Sequence, residues 1–503
     1  MIRCVAAIDC GTTTTKCALL DLEGRAVAAS AAPAPVRQTA DGGVEVDAVQ
    51  TLADVRRGLA ACIAASRKRG AEVLGCAVTN QRATVVCVGA DDRPLGPALS
   101  WQDMRGGQLL EAFGRRIPAD VYFRTTGLPL FPAFSLAKLL WLKDREPERY
   151  RRTRRFALLH DFILHGLGCR DWVTDVSNAS LTGLLDVNTR RWSTALLDLA
   201  GLDAGKLNPL VEPGTPVGRV SASAARLTGL RPGLPLVAGA GDQQCAGVGA
   251  GAVEPGTVEI TLGTVAVPLC VSDRPALDPA RRVTCCVHAV PGRWNCEGLQ
   301  NAAGASTRWL AEVRGGKGRI GPAAWRAAGR LAPGADGVLF FPYLLGAGAP
   351  WWNADATGAL LGLRTTHGPA HALRAVLEGV AFENRAILDV FRELGVPVDE
   401  VRLTGGGSEK TPWTRIQANV YGVPVVTLEN PQATLVGAAV LAACGAGVFA
   451  APREAVRQMV RPAARFDPDP AVRTAYDALY ERYADVRRGF DAAGMWTRIQ
   501  HRG

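Results

Sequence analysis

Asp9-Cys10-Gly11-Thr12-Thr13-Thr14-Thr15-Lys16 lies between two apolar runs, Val5-Ala6-Ala7-Ile8 and Cys17-Ala18-Leu19-Leu20, and a second turn follows at Glu23-Gly24-Arg25. Strand-length apolar runs on either side of a Gly/Thr turn read as a β-hairpin with a polar tip. Glycine lets the backbone approach an anion, the threonine N–H and O–H groups donate to phosphate oxygens, and Lys16 adds one cation. Asp9, at the end of the first strand, supplies the oxygen chemistry that holds Mg²⁺, here through water. Taken alone, the same residues also describe an exposed Thr-rich turn. A second Gly/Thr turn, Thr261-Leu262-Gly263-Thr264, closes another apolar strand most of a domain later and reads as a second phosphate clasp.

The chain has 503 residues, more than the roughly 250–300 at which a single core stops growing, so two domains are expected. Hydrophobic residues make up 48%, enough for a large core. The net charge of +10 is spread among interspersed acidic residues. The densest basic run, Arg149 to Arg155, is short and lacks the aromatic and glycine interleaving of RNA-binding modules, so it reads as a solvated face. Thirteen cysteines without a CxxC pair argue against a zinc or redox centre and for reduced thiols. No apolar run reaches the roughly 18 residues of a membrane span, and the N-terminal apolar stretch ends at Asp9, unlike a signal peptide. A cytoplasmic protein is expected.

Strands and helices alternate along the chain. Helical patterns are expected at Val49 to Arg69, Phe134 to Asp144, Asn301 to Val313, His371 to Leu394, Pro412 to Tyr421 and Pro470 to Ala493, and strands at Val73 to Thr79, Thr257 to Val271 (a pair) and Val401 to Thr404. The Pro/Gly-rich stretch from Pro209 to Pro235 reads as a boundary. Two α/β halves are therefore expected, 1–245 and 246–503, each opening with a hairpin that ends in Gly and Thr, as if by duplication.

Other polar segments fall at strand ends, where α/β sheets bind ligands. Thr79-Asn80-Gln81-Arg82 supplies amides and a guanidinium that could orient hydroxyls, and Trp101 offers an indole face to the CH side of a polyol. Asp242, in Gly239-Ala240-Gly241-Asp242-Gln243-Gln244, is a carboxylate on a turn that a substrate can approach; its simpler reading is a cap for a helix starting at Cys245. Thr404-Gly405-Gly406-Gly407 ends a strand and precedes a helix, so its bare backbone could receive a nucleotide.

With these residues in place, the chain resembles the FGGY carbohydrate kinases, the group of glycerol kinase and xylulokinase. The likeness runs from Asp9–Lys16 through Thr79–Thr84, Trp101-Gln102-Asp103, Gly127-Leu128-Pro129, Thr174–Ser180, Gly241–Gln244, Leu262-Gly263-Thr264, Ala303–Ser306 and Phe341-Pro342-Tyr343 to Thr404–Gly407. It implies two ribonuclease-H-like (actin-like) domains flanking a catalytic cleft that closes on ATP and a polyol or ketose. It implies that Asp242 is the base that takes the proton from the attacking hydroxyl, that Arg82 and Gln243 bind substrate oxygens and that Trp101 packs beside the substrate. Thr12, Thr13, Thr14 and Lys16 would then hold the β- and γ-phosphates, with Asp9 near Mg²⁺. Thr264, Gly304 and Arg308 would line the phosphate and ribose side, and Gly406 and Lys410 would meet the adenosine. A small sugar and ATP are the expected partners, without nucleic acid or membrane, and a homodimer is compatible with the resemblance, as is a last helix packing back on the N-terminal half.

The departures bear on the substrate. Where glycerol kinases carry a glutamate and a tyrosine that grip glycerol, this chain has Ala83 and Ala133, which favours a longer ligand. Asn80-Gln81-Arg82 in turn replaces the Gly-Gln-Met-His segment of xylulokinases. A pentulose kinase is the leading reading and a kinase of a longer polyol the next. An actin-like nucleotide-binding regulator without a small substrate is the remaining alternative.

Overall fold

The computed structural model describes residues 1–499 apart from 314, 316 and 317. They form two compact units. The first contains Met1–Val253, Ser272–Asn295 and Gln432–Arg461, and the second Glu254–Val271, Cys296–Pro431 and Pro462–Gly503. The division is thus not a single point near 245, because the chain returns to the first unit twice.

The first unit is built on a six-stranded sheet in the order Pro216–Arg219, Pro235–Gly241, Ala71–Asn80, Ile2–Cys10, Thr14–Asp21, Ala26–Pro33. Residues 4 to 10 are all buried, as expected of a central strand covered on both faces. Ile2–Cys10 pairs antiparallel with the outgoing arm of its hairpin, Asp9 lying opposite Lys16. It runs parallel to Ala71–Asn80, which in turn runs parallel to Pro235–Gly241. The carboxyl ends of three parallel strands therefore share one edge, with Asp9 opposite Thr79, Cys10 opposite Asn80, and Asn80 opposite Gly241.

The Ala48–Ser66 helix is capped by Asp47 and buries Leu52, Val55 and Leu59 in a core shared with Ile8, Leu19 and Val78. Elsewhere in this unit Ala433–Gly445, buried almost throughout, lies against Asp242–Ala250. The two helices touch backbone to backbone: a Cβ at Gly437 would come within 1.9 Å of the Cys245 carbonyl, and one at Gly249 within 1.8 Å of that of Ala433. This fit, rather than chain order, draws the late helix into the first unit. The Pro209 to Pro235 stretch is not a boundary, since it contributes the Pro216–Arg219 strand, which pairs with Pro235–Gly241 inside this unit.

In the second unit, five strands run in the order Ala266–Ser272, Gly256–Leu262, Val398–Thr404, Val425–Leu428, Pro462–Phe466. Gly256–Leu262 pairs antiparallel with Ala266–Ser272 and parallel with Val398–Thr404, repeating the arrangement around Ile2–Cys10. Both units are ribonuclease-H-like, the fold of actin-like ATPases. The last long helix, Pro470–Ala492, groups with the second unit rather than with the N-terminal half. Buried carboxyls fasten it there: Tyr483 donates to Glu383, which also accepts from Tyr343 and Trp351, and Tyr476 donates to Glu378. No helix among the described residues is long and apolar enough to cross a membrane.

Candidate active site

At the shared edge of the first unit, Pro235–Gly241 passes directly into a helix that begins at Asp242 itself, with Gly241 as its N-cap residue. The carboxylate is therefore the first helical residue, not a cap ahead of Cys245, and it sits where helix N–H groups favour negative charge. The backbone N–H of Gln243 donates to Asp242 Oδ1 at 2.8 Å. Arg82, just past the end of Ala71–Asn80, places Nε 3.2 Å from the same oxygen, with the two side chains 15% and 28% exposed. Its Nη1 donates to Gln244 Oε1 at 3.2 Å. Glycine at 241 is what admits this crossing, for a Cβ there would lie 2.5 Å from Arg82 Cδ and 2.6 Å from Gln244 Oε1.

The hairpin tip joins the same group. Trp101 donates its indole N–H to Thr12 Oγ1 at 3.0 Å, Thr13 is exposed, and Lys16 Nζ donates to Gln432 Oε1 at 2.8 Å. Asp9 is buried, and its Oδ1 has no hydrogen-bond partner among the described residues. Burial, reinforced by the charge of Asp242 and opposed by Lys16, pushes its carboxyl up to about 7. With Lys16 and Arg82 nearby, the raised Asp9 carboxyl still shows a deficit of positive charge around the two acids, which a divalent cation would offset. The donor set fits Mg²⁺.

Ala83 and Ala133 are both buried. Ala83 has φ of 56°, and its methyl packs among Leu128, Leu181 and Cys286, with Trp101 and Phe134 beside it. The Ala133 carbonyl accepts from buried Lys138, 2.8 Å away.

In the second unit, Thr264 lies in the turn after Gly256–Leu262. Its carbonyl accepts from Ala303 and Ala305 N–H, and Gly304 N–H donates to the Gly263 carbonyl at 2.9 Å. A Cβ at Gly304 would meet that carbonyl at 2.4 Å, so the loops can close only on glycine. Arg308 Nη2 reaches Thr264 Oγ1 at 3.4 Å. The neighbouring loop is tied in by Gly407 N–H donating to the Leu262 carbonyl, while Gly406 is exposed with open space where a side chain would be. Lys410 stands at the N-cap of Thr411–Tyr421.

Asp9, Thr12, Lys16, Arg82, Trp101, Asp242 and Gln243 thus gather on the first unit, and Thr264, Gly304, Arg308, Gly406 and Lys410 on the second. Sequence reasoning missed three partners. Gln244 adjoined Gln243 in the quoted turn but was given no role, and Ser177, whose Oγ accepts from Gly241 N–H at 3.0 Å, lay in a motif quoted only as a likeness. Gln432 is 416 positions from Lys16 and carries no local signal.

Residues 4–249 match the N-terminal domain model of the FGGY family of carbohydrate kinases, and residues 258–446 match its C-terminal domain model. The chain belongs to the FGGY family of carbohydrate kinases. It is 29% identical to a xylulose kinase of Bacillus subtilis (strain 168) over 490 residues, covering 96% of this chain and 97% of that one. It is 34% identical to a glycerol kinase of Geobacter sp. (strain M21) over 463 residues, covering 88% and 90%. The structure of a ligand-bound xylulose kinase from Lactobacillus acidophilus superposes with a TM-score of 0.90 at 25% identity, covering 98% of this chain and 99% of that one. The protein is an ATP-dependent carbohydrate kinase, and these relatives are named for different acceptors.

Proposed function

We propose that this FGGY kinase transfers the γ-phosphoryl group of ATP to a hydroxyl of a pentulose, with Asp242 as general base. The observation that carries the reading is Asp242 at the first turn of a helix, held at 3.2 Å by Arg82 and sharing its sheet edge with the Asp9–Lys16 hairpin. Phosphoryl transfer asks the protein mainly to align an oxygen and neutralise charge, and a carboxylate that accepts the hydroxyl proton late needs no raised pKa. Arg82 and Gln243 would orient substrate oxygens, and Trp101, fixed by its bond to Thr12, would pack on the carbon face of the sugar. Thr12, Thr13, Thr14 and Lys16 would hold the β- and γ-phosphates. Thr264, Gly304 and Arg308 would line the phosphates and ribose, and Gly406 and Lys410 the adenosine. Mg²⁺, held by Asp9 through water, would offset the phosphate charge. We place the enzyme in the cytoplasm, and a homodimer is compatible with this reading.

A kinase for a longer polyol is the second reading, favoured by the 34% identity to a glycerol kinase. An ADP-release assay over pentuloses, five- and six-carbon polyols, gluconate and glycerol separates the two. A pentulose with a kcat/KM at least tenfold above every polyol supports the first reading, and glycerol as best substrate overturns both. The membership of the FGGY carbohydrate kinases removes the reading as an actin-like regulator without a small substrate.

A further inference from the structure

The two units carry corresponding clasps. Asp9-Cys10-Gly11-Thr12 ends a strand whose parallel neighbour sets Thr79 opposite Asp9, and Thr261-Leu262-Gly263-Thr264 ends one whose neighbour sets Thr404 opposite Thr261. Two residues before the first clasp's acid stands Ala7; at the corresponding place in the second unit stands Glu259. An alanine suits a strand buried on both faces, whereas a carboxyl there is costly.

Glu259 is completely buried. Its Oε1 accepts from both Thr261 Oγ1 and Thr404 Oγ1, each at 2.7 Å, and the two hydroxyls are 3.3 Å apart. Oε2 has no partner among the described residues. Burial, with Glu297 adding to it and the two threonine hydroxyls opposing it, pushes the carboxyl up to about 8, which favours the uncharged acid with Oε1 receiving both hydroxyls. Those hydroxyls stand at the ends of two strands that lead into different loops, Thr261 one residue before the end of Gly256–Leu262 and Thr404 the last residue of Val398–Thr404. Beyond the strand ladder that sets Thr261 opposite Thr404, Gly407 N–H donates to the Leu262 carbonyl.

We infer that Glu259 is a positioning residue for the nucleotide: one carboxyl oxygen clamps the roots of the two loops that carry Thr264 and Gly406, fixing their spacing before ATP arrives. The inference rests on the reading of this unit as the nucleotide side. Preorganisation of this kind acts on affinity, because a loop pair that must be ordered on binding weakens the complex. What matters is a neutral acceptor, not a charge, so Glu259→Gln keeps the clamp and Glu259→Ala removes it, leaving the threonines to bond each other.

The test is titration calorimetry of MgADP with the full chain. Glu259→Ala is expected to raise Kd about tenfold, Glu259→Gln to stay within twofold of wild type, and Thr404→Val to raise Kd at least threefold. Rescue by glutamine separates positioning from general loss of structure. A folded Glu259→Ala that binds within twofold of wild type, or a glutamine variant as weak as the alanine one, overturns the inference. If Glu259→Ala does not fold, Thr261→Val and Thr404→Val decide, and unchanged binding in both overturns it. Wild type that fails to bind MgADP would instead overturn the nucleotide reading beneath it.

Discussion

Asp9 is a buried carboxyl at the site whose charged form its surroundings disfavour, and replacing it by asparagine should make the ligand-free enzyme more stable while abolishing its turnover. Burial and the charge of Asp242 raise its carboxyl from 3.8 to about 7, against the smaller opposing effect of Lys16. A folded-state pKa above the unfolded one contributes stability that is fully present below pH 3.8 and is lost as pH rises through 7. Between pH 5 and pH 8 the wild type should therefore lose about 3 kcal/mol that an uncharged asparagine does not, two pH units at about 1.4 kcal/mol each.

The assay is urea unfolding of wild type and Asp9→Asn at pH 5, 6, 7 and 8 with EDTA present. The stability difference should widen with pH, and Mg²⁺ with ADP should narrow it again at pH 8 by supplying the missing positive charge. Asp242→Asn should reduce the pH dependence of the wild type, since it removes one of the causes of the shift. A difference that stays constant from pH 5 to 8 would refute the reasoning, showing that Asp9 is already ionised and solvated in the free enzyme.

Asp242→Asn should lower turnover about 10²- to 10⁴-fold, the range for losing a general base, with MgADP affinity by calorimetry unchanged within threefold; retention of a third of wild-type turnover would remove Asp242 from the role. Lys16→Ala should raise KM for MgATP and lower turnover while leaving sugar affinity intact, and the reverse pattern would mean that the two sides of the site are misassigned. At Ala83, whose φ is 56°, glycine should hold or raise stability by up to about 1 kcal/mol, whereas glutamate should lower it by about 2 kcal/mol or more by placing a carboxylate among Leu128, Leu181 and Cys286. Urea midpoints for the two variants in the opposite order would show that the backbone there relaxes.

The parts of the site legible in the sequence are those where a strand stops at polar residues: Asp9 to Lys16, Thr79 to Arg82, and Thr404 to Gly407 lie where strand-length apolar runs end. The Asp242 helix was misjudged in its start because Gly241 caps without a side chain, so no Ser, Thr or Asp marked the boundary. Pro209 to Pro235 misled because turn residues mark edges of elements, and here they frame an edge strand within one unit. Glu259 was invisible inside an expected strand pair, since a carboxyl in an apolar run reads as an outward residue until both flanking faces are known to be covered. Gln432 and the helix after it could not be placed, because backbone-to-backbone glycine packing between distant segments leaves no periodic trace.

The acceptor argument changes in the same way. An alanine in place of a glutamate suggests an enlarged pocket, but the Ala83 methyl is enclosed by Leu128, Leu181 and Cys286, so the exchange alters polarity more than volume. With Arg82 and Trp101 read as acceptor-binding, the wall beside them is apolar. A glycerol hydroxyl facing it would lose a hydrogen bond worth about 0.5–1.5 kcal/mol, which is roughly a twofold to tenfold loss of kcat/KM per bond. A ketose whose carbon chain lies on that wall loses nothing there and keeps Arg82 and Gln243 for its remaining oxygens. A deoxy analogue lacking the hydroxyl that faces the wall should then be phosphorylated as well as its parent sugar. If instead that analogue loses tenfold or more in kcat/KM, a polar partner must meet the hydroxyl, and Ala83 does not line the acceptor site.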